Sequence, residues 1–522
     1  VSENVRLSVM DKIQNYYAPK LKAYYGAVSL VSGFGAGAGV AAIVKANATS
    51  QQSVMSLVGQ GGGADTMSYD YTGSYSGALT ADGKSVESSG ETVSATSSDQ
   101  NAALVQNGGT LTITNGKLTK SGDSDNADNC NFYGTNSALL AVGEKSKAII
   151  SDSSIDATSS GSNAIFSTDS ASVLANNVNI TTSAANSRGL DATYGGSIIA
   201  NAMTISTKGD HSASLATDRG GGSVSVTDST LNTAGSGSPL LYSTGDIEVS
   251  GVTGTASGSQ IAGMEGLNTI LINNSTLEST NTGTTGSDPV ANGVIIYQST
   301  SGDAESSTGQ HATFQAKDST LKSAITSGSM FYFTNTTADV VLSNTDLDFD
   351  SDAANLIMAA GNDSNNWGTA GSNGATVNFT GRSQTLKGKV SADTISSVTL
   401  NLLEGSTWTG SAEITENSAG STSDAPITVN VDGTSTWVVT ADTTVSALNV
   451  ADGGKVVDSS GKTVTIKANG KTVVSGDSDL TVTVTGSYGT TVEAGSDTEL
   501  SSEVTDRTAF DKQFGTSTSW SF

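Results

Sequence analysis

Cysteine, histidine, proline and basic residues are all scarce in this chain. Its 522 residues include one cysteine, two histidines, four prolines and five arginines, and aromatics make up only 5%. A single cysteine excludes a disulfide framework and any cysteine-based zinc site. His211 and His311 alone leave no histidine-rich metal site and few bases for a Ser-His-Asp triad. Lys plus Arg totals 24 against 50 for Asp plus Glu, a net charge of −26. Such a chain cannot neutralise a phosphate backbone, which speaks against nucleic-acid binding. Charged residues are nevertheless only 14% of the total, and steady Val, Ile and Leu argue against disorder. Four prolines beside 60 glycines and many β-branched residues point to an all-β protein with many turns.

The chain opens on Val1 rather than Met, so it reads either as processed before position 1 or as a fragment; removal of a secretory signal is the simplest account and suits an extracellular or cell-surface location. Cys130 lies in the polar run Asp128-Asn129-Cys130-Asn131 and reads as a free thiol without a role.

Residues 1–58 differ from everything after them. Val5, Val9 and Ile13 recur at helical spacing, and Tyr16 and Tyr17 continue that face as far as Pro19. Gly26 to Val44 then runs without a charge, its apolar residues including Val28, Leu30, Val31, Phe34, Val40, Ile43 and Val44. The length nearly suits a membrane span, but five glycines weaken a helix. Lys45-Ala46-Asn47-Ala48 offers an A-x-A site, so a retained leader is an alternative. Alternating Gly and Ala suit an extended segment lying close against another backbone. The expectation is therefore an assembly segment that makes a homo-oligomer or polymer, with membrane anchoring as the weaker reading. Residues 59–94 read as a linker and β cap, with Tyr69, Tyr71 and Tyr75 on a strand and a turn at Asp82-Gly83.

A repeat follows. A polar triplet leads into an aliphatic residue at Ile155, Ile180, Ile205, Leu231, Leu277, Leu321 and Leu347, with steps of 25, 25, 26, 46, 44 and 26. The two long steps are near double the unit, so each is expected to hide one degenerate repeat. A second series in phase with the first begins at Asn163, Arg188, Ser212 and Ser238. A fixed period of about 25 with β-type alternation means a solenoid. The unit is too short for a strand plus a full helix, so stacked coils of three short strands fit best. About 12 coils between residues 100 and 400 would make a rod on the order of 60 Å long, at roughly 4.8 Å per coil. Beyond residue 396, Glu404-Gly405-Ser406-Thr407-Trp408 recurs 29 residues on as Asp432-Gly433-Thr434-Ser435-Thr436-Trp437. Residues 396–522 therefore read either as continued coils or as a β-sandwich, with Trp520 and Phe522 packing as a cap.

The 25-residue coils and the G-S-T-W turns resemble the right-handed parallel β-helices of bacterial surface proteins: autotransporter passengers, adhesins and the wider pectin-lyase-like superfamily. The resemblance covers roughly residues 95–470. It implies a β-helix over 95–395 and is weak for function, because this scaffold hosts lyases, hydrolases, adhesins and structural rods alike.

Candidate chemistry is sparse. Alternation over Asp346, Asp348, Asp350 and Asp352 would put four carboxylates on one strand face, with Leu347 and Phe349 on the other. Calcium, which takes six to eight oxygens, suits such a face; a solvated acidic edge is the plainer reading. Asp123, Asp125 and Asp128 sit in a stretch that interrupts the register and reads as a polar loop outside the coils. Arg188, Asp191, Asp218 and Arg219 fall on adjacent coils, with Asp191 aligned to Phe166 and Leu215. Lyases of this fold use acidic residues for calcium and a basic residue for proton abstraction, but a structural ion pair is the preferred reading. Thr168, Thr193 and Thr217 align on successive coils as outward β residues. The leading expectation is a non-enzymatic cell-surface structural protein, a self-assembling rod or adhesin stalk that meets surface glycans or a host receptor. The alternative is a carbohydrate-active enzyme or carbohydrate-binding module, which a groove lined with aromatics and paired carboxylates would favour.

Overall fold

The polar triplet ahead of each repeated aliphatic residue is a bend between two strands. The computed structural model describes residues 67–300, 310–364, 366–420, 426–500 and 502–522, within one compact unit that begins at Gly63. The first residue of the triplet has φ between 43° and 57° at Asp152, Asn177, Ala202, Asp228, Asn274, Asp318 and Asn344. Asn and Asp accept this left-handed backbone because their short polar side chains bond locally. Asn177 Nδ2 donates to Asp152 Oδ1 at 2.7 Å, and Asn344 Nδ2 to Asp318 Oδ1 at 2.7 Å. The second residue turns inward and links coils. Ser275 Oγ accepts from Val252 N at 3.1 Å and donates to Asn273 O at 2.8 Å. Ser319 Oγ repeats the pattern with Ser275 N at 3.1 Å and Lys317 O at 2.8 Å. The third residue is exposed at Thr204, Thr230 and Thr276, and the fourth is the aliphatic residue of the ladder.

Each coil carries three strands, as in Leu190–Ala192, Ser197–Asn201 and Thr204–Thr207. Each strand pairs in parallel with its counterpart on the next coil. The first-face strands form a 13-stranded sheet running from Ser76–Asp82 to Ala412–Thr415. The second and third faces join where Lys147–Ala157 and Ser172–Thr182 continue through the bend. With 48% of the described residues in strands and 4% in helices, they form an all-β parallel β-helix.

The ladder is continuous in register. Ile155, Ile180, Ile205 and Leu231 are successive register partners, and Leu277, Leu321 and Leu347 are the same. All are buried except Leu347, which is partly so. Burial of each side chain contributes about 1.5–3 kcal/mol. Between Leu231 and Leu277 the ladder passes through Gly254, the coil hidden in the 46-residue step. The 44-residue step hides none: Leu277 pairs directly with Leu321, and the extra residues flank the first-face strand Asn292–Tyr297. Setting aside its first and last strands, the 13-stranded sheet places eleven coils between residues 100 and 400 rather than twelve.

The coils run on past residue 396 instead of giving way to a sandwich. Ser397–Leu403, Ile427–Val431 and Ala447–Val450 pair in succession on the second face. Trp408 and Trp437 are register partners, buried and stacked at 4.6 Å, and their indole N–H groups donate to Gly388 O and Gly410 O. The C-terminal tail does not cap the last coil. It returns along the second face: Gln315 Nε2 donates to Glu499 O at 3.1 Å, and Thr505 N to Glu248 Oε1 at 2.8 Å. Arg507, buried, donates to Ser225 Oγ at 2.6 Å, Ala200 O at 2.8 Å and Thr227 Oγ1 at 2.9 Å. The short helix Thr508–Phe514 and the Trp520–Phe522 edge contact follow that anchor.

Tyr69, Tyr71 and Tyr75 form no strand. Their rings gather with Tyr133 and Tyr194 on the outside of the first face, with Tyr133 and Tyr194 stacked at 5.6 Å. The expected assembly residues Val5, Val9, Ile13, Val28, Leu30, Val31, Phe34, Val40, Ile43 and Val44 lie outside the described residues.

Candidate functional site

Outward side chains of the first face stack in a register row: Phe166, Asp191, Ala216, Tyr242, Gly263, Ile295 and Tyr332. At one end Phe166 joins Leu104, Leu140 and Val142 beneath Tyr69 and Tyr75. At the other, Ile295 and Tyr332 pack with Trp367, whose ring stacks on Tyr297 at 4.2 Å. Between these covered ends lies a groove of about 210 Å³. Gly263 opens its floor. A Cβ there would sit 3.5 Å from Ile295 Cγ2 and 3.7 Å from Tyr242 Cδ2, ordinary contact distances, so the row simply lacks a side chain at this point.

Insertions build the walls. The stretch between Lys117–Lys120 and Leu139–Val142 contains the helical turn Asn129–Tyr133, which brings Asn131 and Phe132 to the groove. The segment between Thr276–Ser279 and Asn292–Tyr297 brings Thr285 and Asp288. His211, Asp218 and Gln260 complete the polar lining.

Each charged group has a distinct environment. Arg188 Nη1 donates to Asn131 Oδ1 at 2.5 Å, and its Nε lies 4.0 Å from Asp191 Oδ2. Asp191 is wholly buried and neither carboxylate oxygen has a hydrogen-bond partner. Burial pushes its pKa up to about 7, against the pull of Arg188. The Arg219 guanidinium lies 3.5 Å from the centre of the Phe132 ring. Glu265 accepts from Tyr242 Oη at 2.7 Å, Tyr297 Oη at 3.3 Å and Ser299 Oγ. Burial, and after it the Glu265 charge, drives both phenols well above their ordinary range. Asp288 Oδ2 accepts from Gln260 Nε2 at 2.8 Å and Asn292 Nδ2 at 2.9 Å. Burial raises its pKa to about 6, with those two amides opposing the shift.

Several sequence-derived placements change. Asp191 sits beside Phe166 and Ala216, and Leu215 pairs with Leu190 instead. Thr193 Oγ1 donates to Thr168 Oγ1 at 2.7 Å, but Thr217 pairs with Ala192, one place out of phase, because the local step is 25 residues and not 24. The four-carboxylate strand face does not form. Asp346 and Asp348 share the short strand Asp346–Asp348; Asp350 lies in the turn that follows, where its Oδ1 accepts from Asp352 N at 3.0 Å. Two exposed carboxylates fall far short of the oxygens calcium takes, and among the described residues no group of three or more His, Cys, Asp or Glu could hold a metal ion. Cys130, free as expected, is buried in the helical turn rather than set in a polar loop.

Tyr242, Gly263, Gln260, Asp288 and Tyr297 escape a reading by period, since each is unremarkable within its own coil. The one signal that points to them is the excess length between Leu277 and Leu321, part of which is the insertion carrying Asp288. No protein-family model and no curated protein matches the chain.

Proposed function

We propose that the chain is an extracellular β-helical surface protein that binds carbohydrate, without cleaving it, in the groove on its first face. The observation that carries the reading is the bare floor at Gly263, in a groove lined by the tyrosines Tyr242 and Tyr297 and by the polar groups of Gln260 and Asp288. Aromatic rings offer flat apolar surface to the C–H faces of a sugar, while fixed amides and carboxylates meet its hydroxyls. A net charge of −26 repels acidic polysaccharides and favours neutral or basic ones. In the same proposal, residues 1–58 supply anchoring or homo-oligomeric assembly at the surface, on the strength of their long uncharged stretch.

The test is retention of the full chain on an array of immobilised polysaccharides, compared with the Gly263→Leu variant. Leucine fills the floor without a backbone conflict at its Cβ. The wild-type chain is expected to be retained on a neutral or amine-bearing polysaccharide, and the variant to lose at least about tenfold in affinity, as for blocking a site's central contact. Equal retention of both chains, or none by the wild type, removes the groove from the function.

A further inference from the structure

We infer that the groove selects a saccharide bearing a free amine, and that Asp288 is the acceptor of its ammonium group. The inference deepens the carbohydrate-binding reading and rests on it. It starts from how the charges of the groove are matched. Arg188 is held by Asn131 and faces Asp191 at 4.0 Å. The Glu265 carboxylate takes three hydroxyl donors, from Tyr242, Tyr297 and Ser299.

Asp288 is matched differently. Its Oδ2 is fixed by two neutral amides, Gln260 and Asn292, and no described residue donates to its Oδ1. The side chain lines the groove and is partly buried there. A carboxylate in that position bears a desolvation cost that neutral donors offset only in part, and a ligand cation offsets the remainder. The two amides hold the carboxylate in one orientation before any ligand arrives, so little ordering remains on binding. Tyr242 and Tyr297 line the same groove, and phenol rings favour a neighbouring cation. Asp218 adds a further carboxylate to the lining. A sugar hydroxyl also donates to Asp288, but only an ammonium brings the compensating charge. The chemical class is thus an amino sugar with its nitrogen unacylated.

The test is calorimetric titration of the full chain at neutral pH with three tetrasaccharides: β-1,4-linked glucosamine, its fully N-acetylated form, and β-1,4-linked glucose. The amine form is expected to bind about tenfold or more tightly than the acetylated one, the difference a charge-assisted hydrogen bond makes. Asp288→Asn, close in shape, is expected to bring the two to similar affinity. Equal binding of all three by the wild-type chain overturns the inference and leaves the carbohydrate reading standing. Binding of none overturns both. A preference that survives in Asp288→Asn overturns the assignment to Asp288. The wild-type comparison of amine with acetylated sugar needs no variant, so it decides the amine selectivity even where Asp288→Asn does not fold.

Discussion

At Ala202 the backbone has a φ of 54°, in the bend that Asn177 and Asp228 occupy on the neighbouring coils. A methyl group makes no local hydrogen bond there, and left-handed backbone costs an ordinary residue about 1–2 kcal/mol. Ala202→Asn is therefore expected to stabilise the protein by about 1 kcal/mol in urea denaturation; a loss of stability would show that the bend is not the source of strain. Asp288 carries a pH dependence of definite sign. Its folded pKa of about 6 exceeds the roughly 3.9 of an unfolded aspartate. The folded chain thus holds that proton more tightly than the unfolded one, and the associated stability is complete below about pH 4 and lost as pH rises through about 6. Urea melts of wild type and Asp288→Asn at pH 4 and pH 7 read this directly. The variant is expected to gain on the wild type at the higher pH, and an unchanged difference between the two would contradict the assigned shift.

The bend between the second and third faces is the element that the sequence displays most openly. Its left-handed first residue selects Asn, Asp or Gly, its second is buried and is often serine (Ser153, Ser229, Ser275 and Ser319), its third faces solvent and its fourth enters the core. All four constraints fall on adjacent positions, so they recur as a visible motif. Ser275→Ala removes an acceptor for Val252 N and a donor to Asn273 O, both inside the stack. Leaving the amide unpaired is expected to cost about 1–3 kcal/mol in chemical denaturation. The groove has no such motif. Phe132, Tyr242, Gly263 and Asp288 come from separate coils and insertions, and what unites them is the outer row of the first face. Periodicity also misreads insertions. Added length around Asn292–Tyr297 is close to one coil and mimics a hidden repeat. The Asp346 to Asp352 run shows the opposite failure: sequence alternation continues after the strand itself has stopped at Asp348.

A solenoid is nearly one-dimensional, since each coil touches only its neighbours. The C-terminal tail departs from that rule. It joins Arg382 and Gln315 to Ser225 and Ala200 through Thr498, Glu499, Thr505 and Arg507, so strands far apart in the stack share one strap. Removing residues 490–522 is expected to let the second face open coil by coil. Hydrogen exchange should then show lost protection from Ser197–Asn201 through Thr336–Ser343, while first-face strands keep theirs. Uniform loss across all faces would mean that the tail supports the core as a whole. In the proposed function the first face of the molecule, rather than the exposed threonine row of its third face, meets a carbohydrate. The decisive measurement is a crystal structure of the chain with an oligosaccharide retained on the polysaccharide array. The expected result is a sugar ring over Gly263, between Tyr242 and Tyr297 and within hydrogen-bond reach of Asp288 Oδ1. A sugar seated instead along the exposed Thr230, Thr253 and Thr276 row of the third face, with the groove empty, would contradict it.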